Sequence, residues 1–521
     1  MKYFISIVLP FCFALSLAQV SQSGRYEMEK KNTDNYFTVL SAGKEGAIIF
    51  RDIDDFRKGE GNIWKIVSLD TDLNERWDKE IGIDVKYTIT AYELKNDHLY
   101  LIFRKSEFAK SDYYVVQVGI FDGEVERYDI SNEVELELRH IILVNEKLIF
   151  GGYVRYSPTL LSYTLGDDKL EVIPGFFKDK SDILDLRAND NRTFNAVTQE
   201  KDYQGYFLRL RTYSVLGDIL FEREVRMPED NRVMSAKSTG LEGGNIGIVG
   251  AYGLTNSNYA QGIYSVIAKP QGQDNVINEY PFSDFEHFFD YMKPSRAGKI
   301  KEKVKKRSEL GKDFKYSSRI LLNEVSWNGA GYLISAEVYR PTFEQVSRNP
   351  YTGFYGNPFY PNTSFYSNRS NTRYIKESNQ LANNREANSF EYYESVVIQL
   401  DEQGRLQWDN SFAIEDTETL SLERVVDIGQ VGEQIKMMYL QEEKIKYKII
   451  NKGDTVMLGE QEIALQDEYD EIKHTYTGMN GTIHWYDNVF FIWGYHRVEN
   501  KVNYSDEPRR NVLYINKVTF D

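Results

Sequence analysis

The chain has 521 residues, with 79 Asp and Glu against 63 Lys and Arg, giving a formal net charge of −16 with the histidines neutral. That balance repels phosphate backbones and argues against nucleic acid as a general partner, while favouring solubility. A hydrophobic fraction of 41%, with 38 Tyr, supplies a large packed core, and 12 Pro and 36 Gly exclude a low-complexity chain.

Residues 1–18 read as a signal peptide. Lys2 is a short positive start, residues 3–17 are an apolar run too short to span a bilayer, and the small residues Ser16 and Ala18 precede Gln19. Cys12, the one cysteine, leaves with that segment. The mature chain, residues 19–521, then has no thiol, disulfide or cysteine metal site, which suits an oxidising compartment. The expectation is export by a Sec-type signal to the periplasm or the outer-membrane periphery. No other apolar run is long enough for a transmembrane helix, so none is expected in the mature chain.

Eight candidate repeats follow, starting near Tyr36, Tyr87, Leu138, Ile183, Val233, Arg319, Leu422 and Ile472. Each opens with two β-rich runs around a polar or Gly-containing turn, and seven continue into a second hairpin. Leu69, Asp70 and Trp77 recur at the spacing of Leu400, Asp401 and Trp408, and Gly217 and Phe221 match Gly404 and Trp408. A period of roughly 50 residues made only of strands predicts an all-β fold, a single β-propeller with eight four-stranded blades. The eighth repeat offers only one strand after Asn511. Its missing outer strand is expected from residues 25–31, so that strands from both termini close the ring and leave no open edge. The alternative is seven blades, with one repeat an embellishment.

Two segments break the period. Residues 283–318 form a charged insertion rich in helix formers, with a narrow apolar stripe of Ile300, Val304 and Leu310. Lys303, Lys305, Lys306 and Arg307 are its candidate docking residues toward an acidic protein or an anionic lipid surface, and Glu302 is spaced to pair with Lys306. Residues 340–390 form a Tyr/Asn-rich loop insertion. Tyr351, Phe354, Tyr355, Phe359, Tyr360, Phe365 and Tyr366 are its candidate protein-binding residues, because exposed aromatics beside Asn, Ser and Gly compose adaptable binding loops. Rigid blades are expected to place this loop at the rim, projecting from the body.

Residues that carry chemistry are sparse. None of the six histidines has zinc-ligand spacing, although His474, His484 and His496 share one repeat. No nucleophile elbow, P-loop or dinucleotide fingerprint is present. Residues 70–74 imitate the start of a calcium loop, but Glu75 and Ile81 stand where Gly and Glu are needed, so a polar hairpin turn is expected. Asp52, Asp54 and Asp55 are the acids nearest to a glycosidase-like pair at a propeller mouth. No catalytic, cofactor-binding or metal-ligating residue is assigned.

The hairpins around Trp77 and Trp408 resemble quinoprotein-type propeller repeats, in which an Asp-Gly turn precedes a Trp. The alanine-rich opening and regular glycine of that family are missing, so the resemblance implies no quinone, and no cofactor is expected. The whole also resembles exported envelope propellers, one group of which serves as accessory or plug subunits of the type 9 secretion translocon. That likeness implies a partner among envelope proteins, including an outer-membrane translocon, and a role as machinery rather than released cargo. The function expected is a non-enzymatic protein-binding scaffold. The alternative is an exported glycan-binding protein or glycoside-active enzyme with its site in the propeller mouth.

Overall fold

The computed structural model describes residues 20–521 except 31–36, 106–111, 168–169, 176–180, 228–230, 242–244, 255–256, 270–274, 313, 343–372, 375–379, 382–384, 387–388, 420–421, 477–478 and 503–508. The described residues form an eight-bladed propeller. Blade 1 is the pattern for the rest. Its strands Thr38–Ser41, Ala47–Arg57, Gly61–Leu69 and Glu75–Ile83 pair antiparallel in chain order, from the innermost outward. Blades 2 to 7 occupy residues 88–130, 137–172, 182–226, 231–281, 320–413 and 427–462.

Blade 8 closes the ring. Its strands Val489–Asn500 and Arg509–Phe520 are completed by the N-terminal strand Val20–Glu29, paired antiparallel from Val20 opposite Phe520 to Glu29 opposite Val512 with one register shift between Gln22 and Gly24. The expected closure is therefore present, with the strand starting five residues earlier than the sequence suggests. Arg510 fastens it by reaching Glu27 at 2.9 Å and Asp470 at 2.6 Å.

Strands buried on both faces read as unbroken apolar runs. In residues 47–50, Ile48 and Phe50 face blade 2, while Ala47 and Ile49 face blade 8. Repeated around the ring, this alternation builds eight hydrophobic clusters, one per blade-to-blade seam. Buried carboxylates add polar clamps across four of the seams. Glu93 accepts the backbone N–H of Leu143 at 3.1 Å, Asp185 that of Ser238 at 2.8 Å, and Asp427 that of His484 at 2.8 Å. Glu337 takes the N–H groups of Val425 and Val426 at 3.0 and 2.7 Å. Each acid spares a donor the cost of burial without a partner.

The Leu-Asp hairpins are turns, as expected. Asp70 Oδ1 accepts the N–H groups of Asp72 and Asn74, and Asp401 Oδ1 those of Gln403 and Arg405. The charged insertion contains the helix Pro294–Glu309. The Tyr-rich insertion leaves blade 6 after Thr342 and rejoins it at Ser389.

Candidate interaction face

Strand order divides the loops between two faces. Innermost strands all run one way, so the hairpins joining second to third strands share a face with the links from one blade to the next. Call this the connecting face. The turns joining first to second and third to fourth strands lie opposite. Both insertions emerge on the connecting face, because one links blade 5 to blade 6 and the other replaces the second-to-third hairpin of blade 6.

The helical insertion is wedged in place. Phe282, Phe285, Phe288, Phe289 and Met292 are buried in the seam of blades 5 and 6, and Phe282 stacks on Phe288 with centroids 4.2 Å apart. The Asp409 carboxylate, on the outermost strand of blade 6, accepts the N–H groups of Glu286 and His287 at 2.8 Å each. Ser411 Oγ donates to the His287 carbonyl at 3.0 Å. Asp290 receives His287 Nδ1 at 2.7 Å and Lys301 Nζ at 3.4 Å. Burial raises the carboxyl pKa of Asp409, which these N–H donors partly offset. Glu394 is fully buried beside this wedge, close to the Ser411 side chain and the Tyr291 backbone. Burial pushes its carboxyl well above the usual range, because desolvation disfavours the charged form.

Within the helix only Ala297 is buried. Ile300 and Val304 are half-buried, and Ile300 packs on the seam cluster. Lys303, Lys305, Lys306 and Arg307 are all exposed, and Lys306 pairs with Glu302 at 2.7 Å. Leu310, expected in the apolar stripe, instead stands exposed just beyond the helix end.

Tyr351, Phe354, Tyr355, Phe359, Tyr360, Phe365 and Tyr366 lie outside the described residues. The expectation that their loop projects from the rim falls on those same residues; of residues 343–379 only Arg373 and Tyr374 are described. Arg373 and Tyr374 pair antiparallel with Ile141 and His140 on the innermost strand of blade 3. The physical reason is that the innermost strand of a blade carries an unpaired edge, which an added strand satisfies.

Aromatic tips on the same face escaped the sequence reading. Tyr156 is 89% exposed, Tyr203 93%, Tyr259 48% and Tyr469 49%. The first three sit at second-to-third hairpins and Tyr469 on the link into blade 8, and exposed Phe56 occupies the matching hairpin of blade 1. Among the described residues the opposite face exposes Phe121, Leu216 and Leu241 at its turns, and no large tyrosine surface. Tyr156 has φ +72, after Arg155 at φ +49. A bulky residue in the left-handed region is strained, and such strain concentrates at functional positions.

The acids Asp52, Asp54 and Asp55 serve a local bulge in blade 1, where Asp54 has φ +54. Asp52 Oδ1 accepts the Asp54 N–H at 2.9 Å, and Asp55 pairs with Arg57 at 3.1 Å. They lie on a second strand, away from the innermost layer. The three histidines of blade 8 have separate surroundings: His474 meets Tyr476, His484 packs on Phe490, and His496 stacks on Tyr514. Among the described residues, no group of three or more His, Cys, Asp or Glu is arranged to hold a metal.

Comparison with known proteins gives no family. No family model matches the chain, and no curated protein matches it. Solved structures do. The polysaccharide lyase Uly1 aligns over 93% of this chain and 100% of its own, at 7% identity and a TM-score of 0.37. The β-propeller domain of the Trilobed protease from Pyrococcus furiosus aligns over 82% and 93%, at 9% identity and a TM-score of 0.33. Prolyl oligopeptidase B from Galerina marginata aligns over 90% of this chain but 55% of its own, at 8% identity and a TM-score of 0.40.

Proposed function

We propose that the protein is an exported, non-enzymatic scaffold that binds other envelope proteins through its connecting face. One observation carries this reading. The exposed tyrosines Tyr156, Tyr203, Tyr259 and Tyr469 gather on the face that also bears both insertions. Tyr is an efficient contact residue, combining large apolar area with a polar tip at low entropic cost. The signal-like residues 1–18 support export, and the likeness to envelope propellers narrows the reading to an accessory subunit of a type 9 secretion translocon.

The test is affinity capture from envelope extracts with a tagged chain, alongside a Tyr156→Ser/Tyr203→Ser variant. A reproducible partner set, lost with the variant, is expected. Recovery of the protein alone, or a partner set indifferent to the tyrosines, would overturn the proposal.

A further inference from the structure

We infer that the helix Pro294–Glu309 docks the connecting face onto an anionic lipid surface; the inference rests on the reading of that face as the contact surface. The helix carries Arg296, Lys299, Lys301, Lys303, Lys305, Lys306 and Arg307 against Glu302 and Glu309. This is a strong local excess of positive charge on a chain whose net charge is −16. Part of it is used locally, where Lys301 reaches Asp290 at 3.4 Å and Lys306 pairs with Glu302 at 2.7 Å. The contact with the body uses Ala297 and Ile300, and the cations lie on the solvent side of that stripe.

Three features fit a lipid headgroup array better than a folded acidic partner. First, the exposed cations are spread over the helix surface rather than confined to one register of a face. A fluid array of anions answers such a distribution, whereas a folded partner offers fixed acids. Second, five of the seven cations are lysines, which act as mobile point charges. A fixed carboxylate partner would favour the planar, bidentate fork of arginine. Third, apolar tips accompany the charge. Leu310 is exposed directly after the helix, and Tyr203 and Tyr259 are exposed at hairpins of the same face. Aromatic and apolar side chains beside cations suit the boundary between headgroups and acyl chains. The Phe wedge and the Asp409 anchor hold the helix on the body, so its charge is presented from a fixed base.

The experiment is co-sedimentation of the mature chain with vesicles of phosphatidylglycerol and phosphatidylethanolamine, compared with phosphatidylcholine alone. Binding to the anionic vesicles only is expected, falling steeply with added salt. Reversing Lys303, Lys305, Lys306 and Arg307 to Glu should weaken binding by more than about tenfold. Because these residues are exposed, the melting temperature should hold. A set of Lys→Gln and Arg→Gln replacements at the same positions provides a milder second variant with the same expected direction. Equal binding to neutral vesicles, or binding indifferent to both variants, would overturn the inference. So would capture of soluble polyglutamate without capture of vesicles, which would indicate an acidic protein. If lipid binding fails while Tyr156-dependent protein capture persists, only the lipid inference falls. If both fail, the scaffold reading falls with it.

Discussion

Gly123 rests directly on the indole of Trp77. Its φ is +66, and a Cβ there would lie 3.1 Å from the ring. Trp77 Nε1 donates to the Ile120 carbonyl of the same turn at 2.8 Å. Blade 6 repeats the joint, where a Cβ on Gly453 of blade 7 would lie 3.0 Å from Trp408 and Asn410 Nδ2 donates to the Gly453 carbonyl at 2.7 Å. The recurrent tryptophan is thus a socket for the turn glycine of the following blade. Gly123→Ala is expected to cost about 1–3 kcal/mol through left-handed strain and overpacking. Urea unfolding should show a lower midpoint at constant slope. An unchanged midpoint would mean that the joint is slack.

That joint shows what the sequence discloses and what it conceals. The Asp-to-Trp spacing and the strand-only period were legible because turn chemistry and alternation are local. The partner of each tryptophan was not, since it lies on the next blade's turn. The wedge formed by Phe282, Phe285, Phe288 and Phe289 adjoins the basic segment, but nothing local says that these rings enter a seam. Tyr156 and Tyr203 read as ordinary strand residues. Arg-Tyr is not a customary turn pair, so exposure at that tip becomes visible only once both residues are seen at positive φ.

Asp409 is the polar anchor of the helical insertion. Asp409→Ala leaves the N–H groups of Glu286 and His287 without their acceptor. The expected result is faster tryptic cleavage within residues 299–307, with a smaller change in global unfolding, because local opening needs less free energy than the whole. Unaltered cleavage would show that the Phe wedge suffices.

Burial pushes the Glu337 carboxyl up to about 7, against 4.5 for the free side chain. The folded state therefore holds a proton that the unfolded chain releases first. Its stabilising contribution is full below pH 4.5, declines as pH rises through 7, and then levels off. Relative to wild type, Glu337→Gln should gain about 3 kcal/mol between pH 4.5 and pH 8. Its amide oxygen can still accept from Val426. Parallel stability–pH curves for the two proteins would refute the assignment.

His496 gives the opposite slope. It is fully buried against Tyr514, its ring nitrogens have no hydrogen-bond partner among the described residues, and burial lowers its pKa to about 3. Below pH 6.5 the unfolded chain takes a proton that the folded chain refuses, so stability is lost on acidification. His496→Phe keeps a ring for Tyr514, and its advantage over wild type should be about 2 kcal/mol larger at pH 5 than at pH 8. Thermal melts of the pair at both pH values decide the point.

Strain at Tyr156 should separate stability from binding. Tyr156→Gly relieves the left-handed backbone and is expected to stabilise the fold by about 1 kcal/mol. The same change should weaken partner capture. A variant that loses stability would show that the side chain is structural.

The claim that the connecting face is the contact surface is tested most directly by photo-crosslinking in intact cells. A photoreactive residue placed at Tyr156 or Tyr203 samples that face, and one at Phe121 or Leu216 samples the opposite face. The account predicts discrete crosslinked products from the first pair and none from the second. Products from Phe121 or Leu216 alone, or from none of the four positions, would contradict it.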